Sequence, residues 1–214
     1  MSDTTLGFQQ LVRSALFSYV LLCIGEASVT GLAATSAALS LYQLLAIPLI
    51  GLATAVTVMT GQAYAMQRSR LVYLVSRNGL TLSLGISLLI AAAMFAFPRW
   101  MLSISLGGLT PEELSRIEPL AVQLLGLAAI YGVLDTLALI ISAILKGVSR
   151  TAVILFATLV SGLLAVGVGQ WWAASAAAWW GILIAWAAIQ FVMLAFSLYL
   201  HLQQSKERAF PQPA

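Results

Sequence analysis

Apolar residues in this chain run in long unbroken stretches, and the short segments between them hold most of the charge. Six stretches are long enough to cross a bilayer as helices: Ser14–Ala34, Ala37–Ala65, Gly79–Phe97, Leu120–Leu145, Thr151–Trp172 and Ala176–Leu200. A membrane barrel would instead show segments of about ten residues that alternate polar and apolar. These runs are apolar all round, so the pattern predicts an all-α membrane protein folded as a six-transmembrane-helix bundle. It divides the chain into a short N-terminal segment over 1–13, a membrane domain over 14–202 and a polar, disordered tail over 203–214 that ends in Pro211 and Pro213.

Within this pattern, the second stretch is long for a simple crossing and carries Pro48 near its middle with Gly51 close behind. Proline removes a backbone hydrogen bond and crowds the preceding turn, so a kink is expected there, serving either packing or a hinge. The longest connection, 98–119, contains Thr110, Pro111, Glu112 and Glu113 in the order of a helix N-cap and first turn, which predicts a short surface helix. Trp100, Trp171, Trp172, Trp179 and Trp180 gather at that same end of the bundle and are expected to act as interfacial anchors. In the fifth stretch Ser161, Ala165 and Gly169 recur every four residues, a small-residue face that lets another helix approach closely.

Composition sharpens the class. Only 8% of the 214 residues are charged and 61% are hydrophobic, too little polar surface for a soluble domain of this size. With six crossings both termini share one side, and that side collects Arg13, Arg68, Arg70, Arg77, Lys146, Arg150, Lys206 and Arg208 against Arg99 and Arg116 on the other. The bias places both ends in the cytoplasm of a multi-pass protein of the plasma membrane. The basic residues form no patch on a soluble face, so no nucleic-acid partner is expected. The lone Cys23 allows no internal disulfide.

The chemistry is concentrated at Asp135, inside the otherwise uncharged run Leu120–Leu145. A charge at mid-membrane costs about 2.5–3.5 kcal/mol on insertion scales, so such groups face a bundle interior or watery cavity and mark ion or proton paths. Tyr131 lies one turn earlier on the same helix face and brings a hydroxyl within reach. Glu26 is a candidate second carboxylate, although its place near the end of the first stretch suits solvent exposure equally. Gln43, Gln62 and Gln190 are candidates to line a cavity or to bond between helices. His201 stands alone at the end of the last stretch, with no HExxH motif and no phosphate-binding GxxxxGK[ST] loop, so neither an intramembrane enzyme nor an ATP-driven pump is indicated.

Three segments carry a family resemblance. Leu49-Ile-Gly-Leu-Ala-Thr-Ala-Val-Thr-Val-Met-Thr-Gly-Gln62 resembles the second helix of a lobe in the multidrug and toxic compound extrusion (MATE) family. Leu145-Lys-Gly-Val-Ser-Arg-Thr151 stands where members carry Leu-Arg-Gly-x-Gly-Asp-Thr, with departures at Ser149 and Arg150. Ala129-Ile-Tyr-Gly-Val-Leu-Asp135 is similar to the fourth helix of the C-terminal lobe, where some sodium-coupled members place a tyrosine and, four residues later, a cation-binding aspartate. The resemblance implies one six-helix lobe of a twelve-helix transporter, most like the second, with Asp135 and Tyr131 in ion or proton coupling. It implies that two copies pair as a homodimer, that a separate N-terminal-lobe partner exists, or that the chain is a relic of a longer gene; parallel lobes related by an axis along the membrane normal make like-with-like pairing geometrically reasonable. Arg13 stands where sodium-binding members place a glutamate, which argues against a complete sodium site.

The resulting expectation is a half-size antiporter that exports small organic cations across the lipid bilayer, coupled to Na+ or H+ and needing no other cofactor. Asp135 would alternate between protonated or cation-bound and free states. Competing expectations are a non-transporting membrane subunit or scaffold that pairs with another lobe, and a flippase for lipid-linked substrates. The flippase reading would require cationic residues in the central cavity, because such substrates carry phosphate.

Overall fold

A computed structural model describes residues 2–106 and 111–209. The described residues form seven helices, α1 (Ser2–Ala27), α2 (Val29–Ala65), α3 (Ser69–Ala96), α4 (Pro98–Leu106), α5 (Pro111–Gly147), α6 (Thr151–Trp172) and α7 (Ala176–Ala209). Five of them, α2, α3, α5, α6 and α7, are long and apolar enough to cross a bilayer among the described residues. The first of the six expected crossings falls in α1, which is not among these. α1 is helical from Ser2 and α7 continues to Ala209, so helix extends into both terminal segments. Residues 210–214 of the expected tail lie outside the described residues.

Two boundaries differ from the run-length reading. The first break falls at Ser28, whose extended backbone (φ −164°) and side-chain oxygen, accepting from the Gly31 N–H at 3.1 Å, cap α2. A serine cap between two apolar runs barely changes hydrophobicity, so run length alone misplaces it by several residues. In the 98–119 connection, Pro98 opens α4, and α5 runs from Pro111 through Pro119 into the fourth crossing as one helix. The expected surface helix is therefore the first turns of α5; Thr110, its expected cap, lies outside the described residues.

α5 is the hub of the bundle and packs against α2, α3 and α7, while α1 rests mainly on α6 and α2. α3 presents a buried stripe of Val72, Ser76, Gly79, Ser83, Ser87, Ala91 and Met94. Small residues there let backbones approach, and the three serine hydroxyls donate to carbonyls of their own helix (Val72, Leu80 and Leu84), which satisfies them without a partner helix. α6 and α7 are stitched by two side-chain bonds: Trp186 Nε1 donates to Ser161 Oγ at 2.9 Å and Gln190 Nε2 donates to Thr158 Oγ1 at 3.1 Å.

The small-residue face of α6 is filled from within the chain. The Trp179 ring lies over Gly169, and Leu16 of α1 over Gly162. Trp179 and Trp180 are accordingly buried at 3% and 0% exposure, a correction to their expected role as headgroup anchors; Trp100 and Trp171 remain exposed. Tryptophan at a helix start looks interfacial in sequence, but here the glycine opposite offers a ring-sized recess.

The connections α2–α3 and α5–α6, at the end of the bundle that carries Arg68, Lys146 and Arg150, share one backbone device. Arg68 N–H reaches Ala63 O at 3.1 Å and Gln67 N–H reaches Tyr64 O at 3.0 Å; Arg150 N–H reaches Leu145 O at 2.9 Å and Ser149 N–H reaches Lys146 O at 3.0 Å. These are the paired bonds of a helix-ending Schellman motif, which needs a left-handed residue. Gln67 (φ 54°) and Ser149 (φ 60°) supply it. The second glycine of the Leu-Arg-Gly-x-Gly-Asp-Thr pattern falls at Ser149, where glycine would adopt that backbone without steric cost. The first glycine is kept: a Cβ on Gly147 would come within 2.7 Å of Thr60 Cβ and 3.0 Å of the Gly61 nitrogen, so the close approach of α2 and α5 at this point requires it.

Candidate functional site

Asp135 lies about 18 Å of helix rise from the basic end of α5, within the membrane-crossing part of the bundle. It is buried, at 6% exposure. Three helices converge on it in phase. α1 contributes Arg13 and Phe17, one turn apart; α2 contributes Leu39, Tyr42, Ala46 and Leu49 from one face; α5 contributes Tyr131, Asp135 and Leu139 at four-residue spacing. Together they line a cavity of about 550 Å³.

Both carboxylate oxygens are engaged. Arg13 donates from a terminal guanidinium nitrogen to Asp135 Oδ1 at 2.5 Å, and Tyr42 donates its hydroxyl to Oδ2 at 2.6 Å. The ion pair is shielded, with the Arg13 side chain 24% and the Asp135 side chain 8% exposed. Arg13 is therefore an interior residue, and the charge bias between the two ends of the bundle rests on the other basic residues.

Tyr131 belongs to the same cluster in a different role from Tyr42. Its ring is fully buried in an aromatic box, at centroid distances of 6.1 Å from Phe17, 5.5 Å from Tyr42 and 6.2 Å from Trp180, and each pair meets edge to face. Such aromatic pairs favour this geometry through their quadrupoles. The Tyr131 hydroxyl approaches both members of the ion pair, while the direct phenol bond to Asp135 comes from Tyr42 on α2. Gly132 makes that bond possible: a Cβ there would sit 3.0 Å from Tyr42 Cε2, so the ring crosses α5 at a position without a side chain.

The remaining expected residues separate by location. Gln43 is exposed and lines the cavity beside Tyr42. Gln190 is buried in the α6–α7 seam on Thr158, away from the cavity, so its role is the interhelical bond. Glu26 is exposed near the end of α1 and is not part of the cavity lining. α2 passes Pro48 without interruption, and Pro48 and Gly51 are exposed positions flanking the lining residues Leu49 and Ile50.

Arg13 and Tyr42 are the site residues that sequence reasoning did not select. The available signal for Arg13 was electrostatic: a carboxylate at mid-membrane needs a counter-charge, and an arginine that opens the first apolar run is within reach of one. Tyr42 carried only the weaker signal of a hydroxyl inside the second run.

Comparison with known proteins agrees with this architecture. The family model described as MatE matches residues 6–171. The chain is similar to a solved multidrug resistance MATE family transporter of the MOP superfamily in its outward-facing conformation, with a TM-score of 0.84 and 17% identity over 95% of this chain and 46% of that one. It is also similar to a MATE structure in the bent conformation (TM-score 0.80, 17% identity, 94% of this chain and 44% of that one). An inward-facing MATE family transporter matches at a TM-score of 0.74 and 18% identity, over 93% and 46%. The chain thus spans about half the length of the solved structures it matches. The comparison with curated proteins found no match.

Proposed function

Because the chain belongs to the MatE family, we propose that it works as one lobe of a gradient-driven membrane transporter in which proton exchange at Asp135 is coupled to a change in shape. The observation that carries this reading is the Arg13–Asp135 pair, which ties α1 to the hub helix α5 across the cavity. With the carboxylate ionised the pair holds α1 against α5. A proton arriving on Asp135 removes the Coulombic tie, and because α1 otherwise rests on α6 and α2, it is then free to shift relative to α5. Loss of the proton restores the pair and the closed arrangement.

Proton coupling is favoured over sodium by the occupied carboxylate oxygens. The cavity volume of about 550 Å³ falls in the range that accommodates drug-sized molecules, which supports small amphiphilic substrates. Organic cations can use Asp135 only in states where Arg13 has left it, since the intact pair offers no net negative charge. The half-length match supports pairing with a second copy or with a separate first lobe, the substrate path lying between the two. Pro48 and Gly51 would serve as a hinge in α2 beside the cavity.

The test is transport by the full chain in sodium-free proteoliposomes. An imposed pH gradient should drive accumulation of a fluorescent drug-like dye, added sodium should not change the rate, and Asp135→Asn should abolish it while inserting normally. Uphill transport by inserted Asp135→Asn would remove the coupling role.

A further inference from the structure

Proton uptake by Asp135 leaves the Arg13 guanidinium inside the bundle without its counter-ion. The charged and titratable groups that face Asp135 among the described residues are Arg13 from α1, Tyr42 from α2 and Tyr131 from α5 itself. α6 and α7 direct Thr158, Ser161, Trp186 and Gln190 at one another, and Lys146 lies about 16 Å of helix rise from Asp135 toward the end of α5, outside the cavity lining. With both phenols neutral near pH 7, the site carries no net charge when Asp135 is ionised and one positive charge when it is protonated. While Arg13 stays in place it is never negative.

The geometry points to a proton-gated anion site: protonation of Asp135 releases the Arg13 guanidinium to bind the headgroup of an amphiphilic carboxylate, whose apolar part lies in the cavity. The inference rests on the reading that Asp135 exchanges protons. A half-buried guanidinium left without its partner is disfavoured, so the protonated state favours uptake of an anion. The released charge is a single one, which matches a monoanionic carboxylate, and the planar guanidinium fork binds that group through two parallel bonds. Phe17, Leu21, Leu39, Ala46 and Leu49 supply the apolar wall. Reionisation of Asp135 re-forms the internal pair and expels the ligand, so proton and anion bind together and leave together.

The purified full chain is titrated with dansylglycine, whose carboxylate stays ionised at both about pH 5.5 and about pH 7.5, and with the cation dansylcadaverine. Wild type should bind dansylglycine at least roughly tenfold more tightly at the lower pH, a difference of about 1.4 kcal/mol. Asp135→Asn should bind at the higher pH as tightly as wild type does at the lower. Arg13→Gln should lose binding at both; if it does not fold, Arg13→Lys, which keeps the charge without the fork, should bind at least several-fold more weakly than wild type. Dansylglycine affinity that is independent of pH, or unchanged by either Arg13 variant, overturns the site, as does preferential binding of dansylcadaverine that depends on Asp135. Binding with the expected signature but without proton-driven transport removes the transport reading and leaves the anion site; proton-driven transport without dansylglycine binding does the reverse.

Discussion

Arg13 and Asp135, 122 residues apart in the chain, form an ion pair at 2.5 Å across a cavity, and the pair links the helix with the fewest ties to the hub of the bundle to that hub. Breaking one member of a shielded pair strands the other charge, which costs about 3–5 kcal/mol, whereas replacing both with apolar residues of similar size is close to neutral. Arg13→Met and Asp135→Leu should each lower the Tm in detergent clearly, and the double variant should recover most of the loss. Additive losses would mean that the two side chains do not act as a pair.

Tyr42 and Tyr131 should respond differently to loss of their hydroxyls. Tyr42 donates directly to the carboxylate at 2.6 Å, and a hydrogen bond to a charged group is worth about 1.5–3 kcal/mol. Tyr131→Phe keeps the edge-to-face contacts with Phe17, Tyr42 and Trp180. Chemical denaturation in detergent should therefore rank Tyr42→Phe as the more destabilised of the two, and the opposite order would reassign the carboxylate's donor.

Gly132→Ala tests the same bond from the other side. The added methyl meets the Tyr42 ring at 3.0 Å, so the ring must shift by a few tenths of an ångström over α5 and its hydroxyl with it. The variant should lose about 1–3 kcal/mol, as overpacked sites do, and Tyr42→Phe should add little on top of it. Full additivity would show that the ring is not displaced.

At the basic end, Ser149→Gly should stabilise the protein by about 0.5–1 kcal/mol, because φ 60° strains a residue with a Cβ and does not strain glycine. Gly147→Ala should do the opposite, by about 1–3 kcal/mol, since Thr60 and the Gly61 backbone leave no room. Thermal melts of the two variants compare directly, and equal signs would contradict the turn and crossing geometry.

Much of the fold was legible because run length is a strong signal in lipid: α6 has the bounds of the fifth apolar stretch, and α7 begins where the sixth does. The cap at Ser28 was not legible by that route, since one small polar residue between apolar runs leaves the hydrophobic pattern intact. Asp135 stood out because a lone carboxylate in an apolar run is costly. Its partner did not, because Arg13 begins the first run and reads equally well as a loop charge; only the packing of α1 beside α2 and α5 brings it inside. Gln190 and Trp179 show the same limit. Each faces a small or polar residue on α6, Thr158 and Gly169, and no spacing within α7 announces which face that will be.

The most direct test of the central claim is infrared difference spectroscopy of the full chain in lipid on acidification. A protonated carboxyl C=O stretch should appear in wild type and be missing from the spectrum of Asp135→Asn, which would place the exchanged proton on that side chain. Identical spectra for the two proteins would contradict the account, because the carboxylate held by Arg13 would then not be the group that takes the proton.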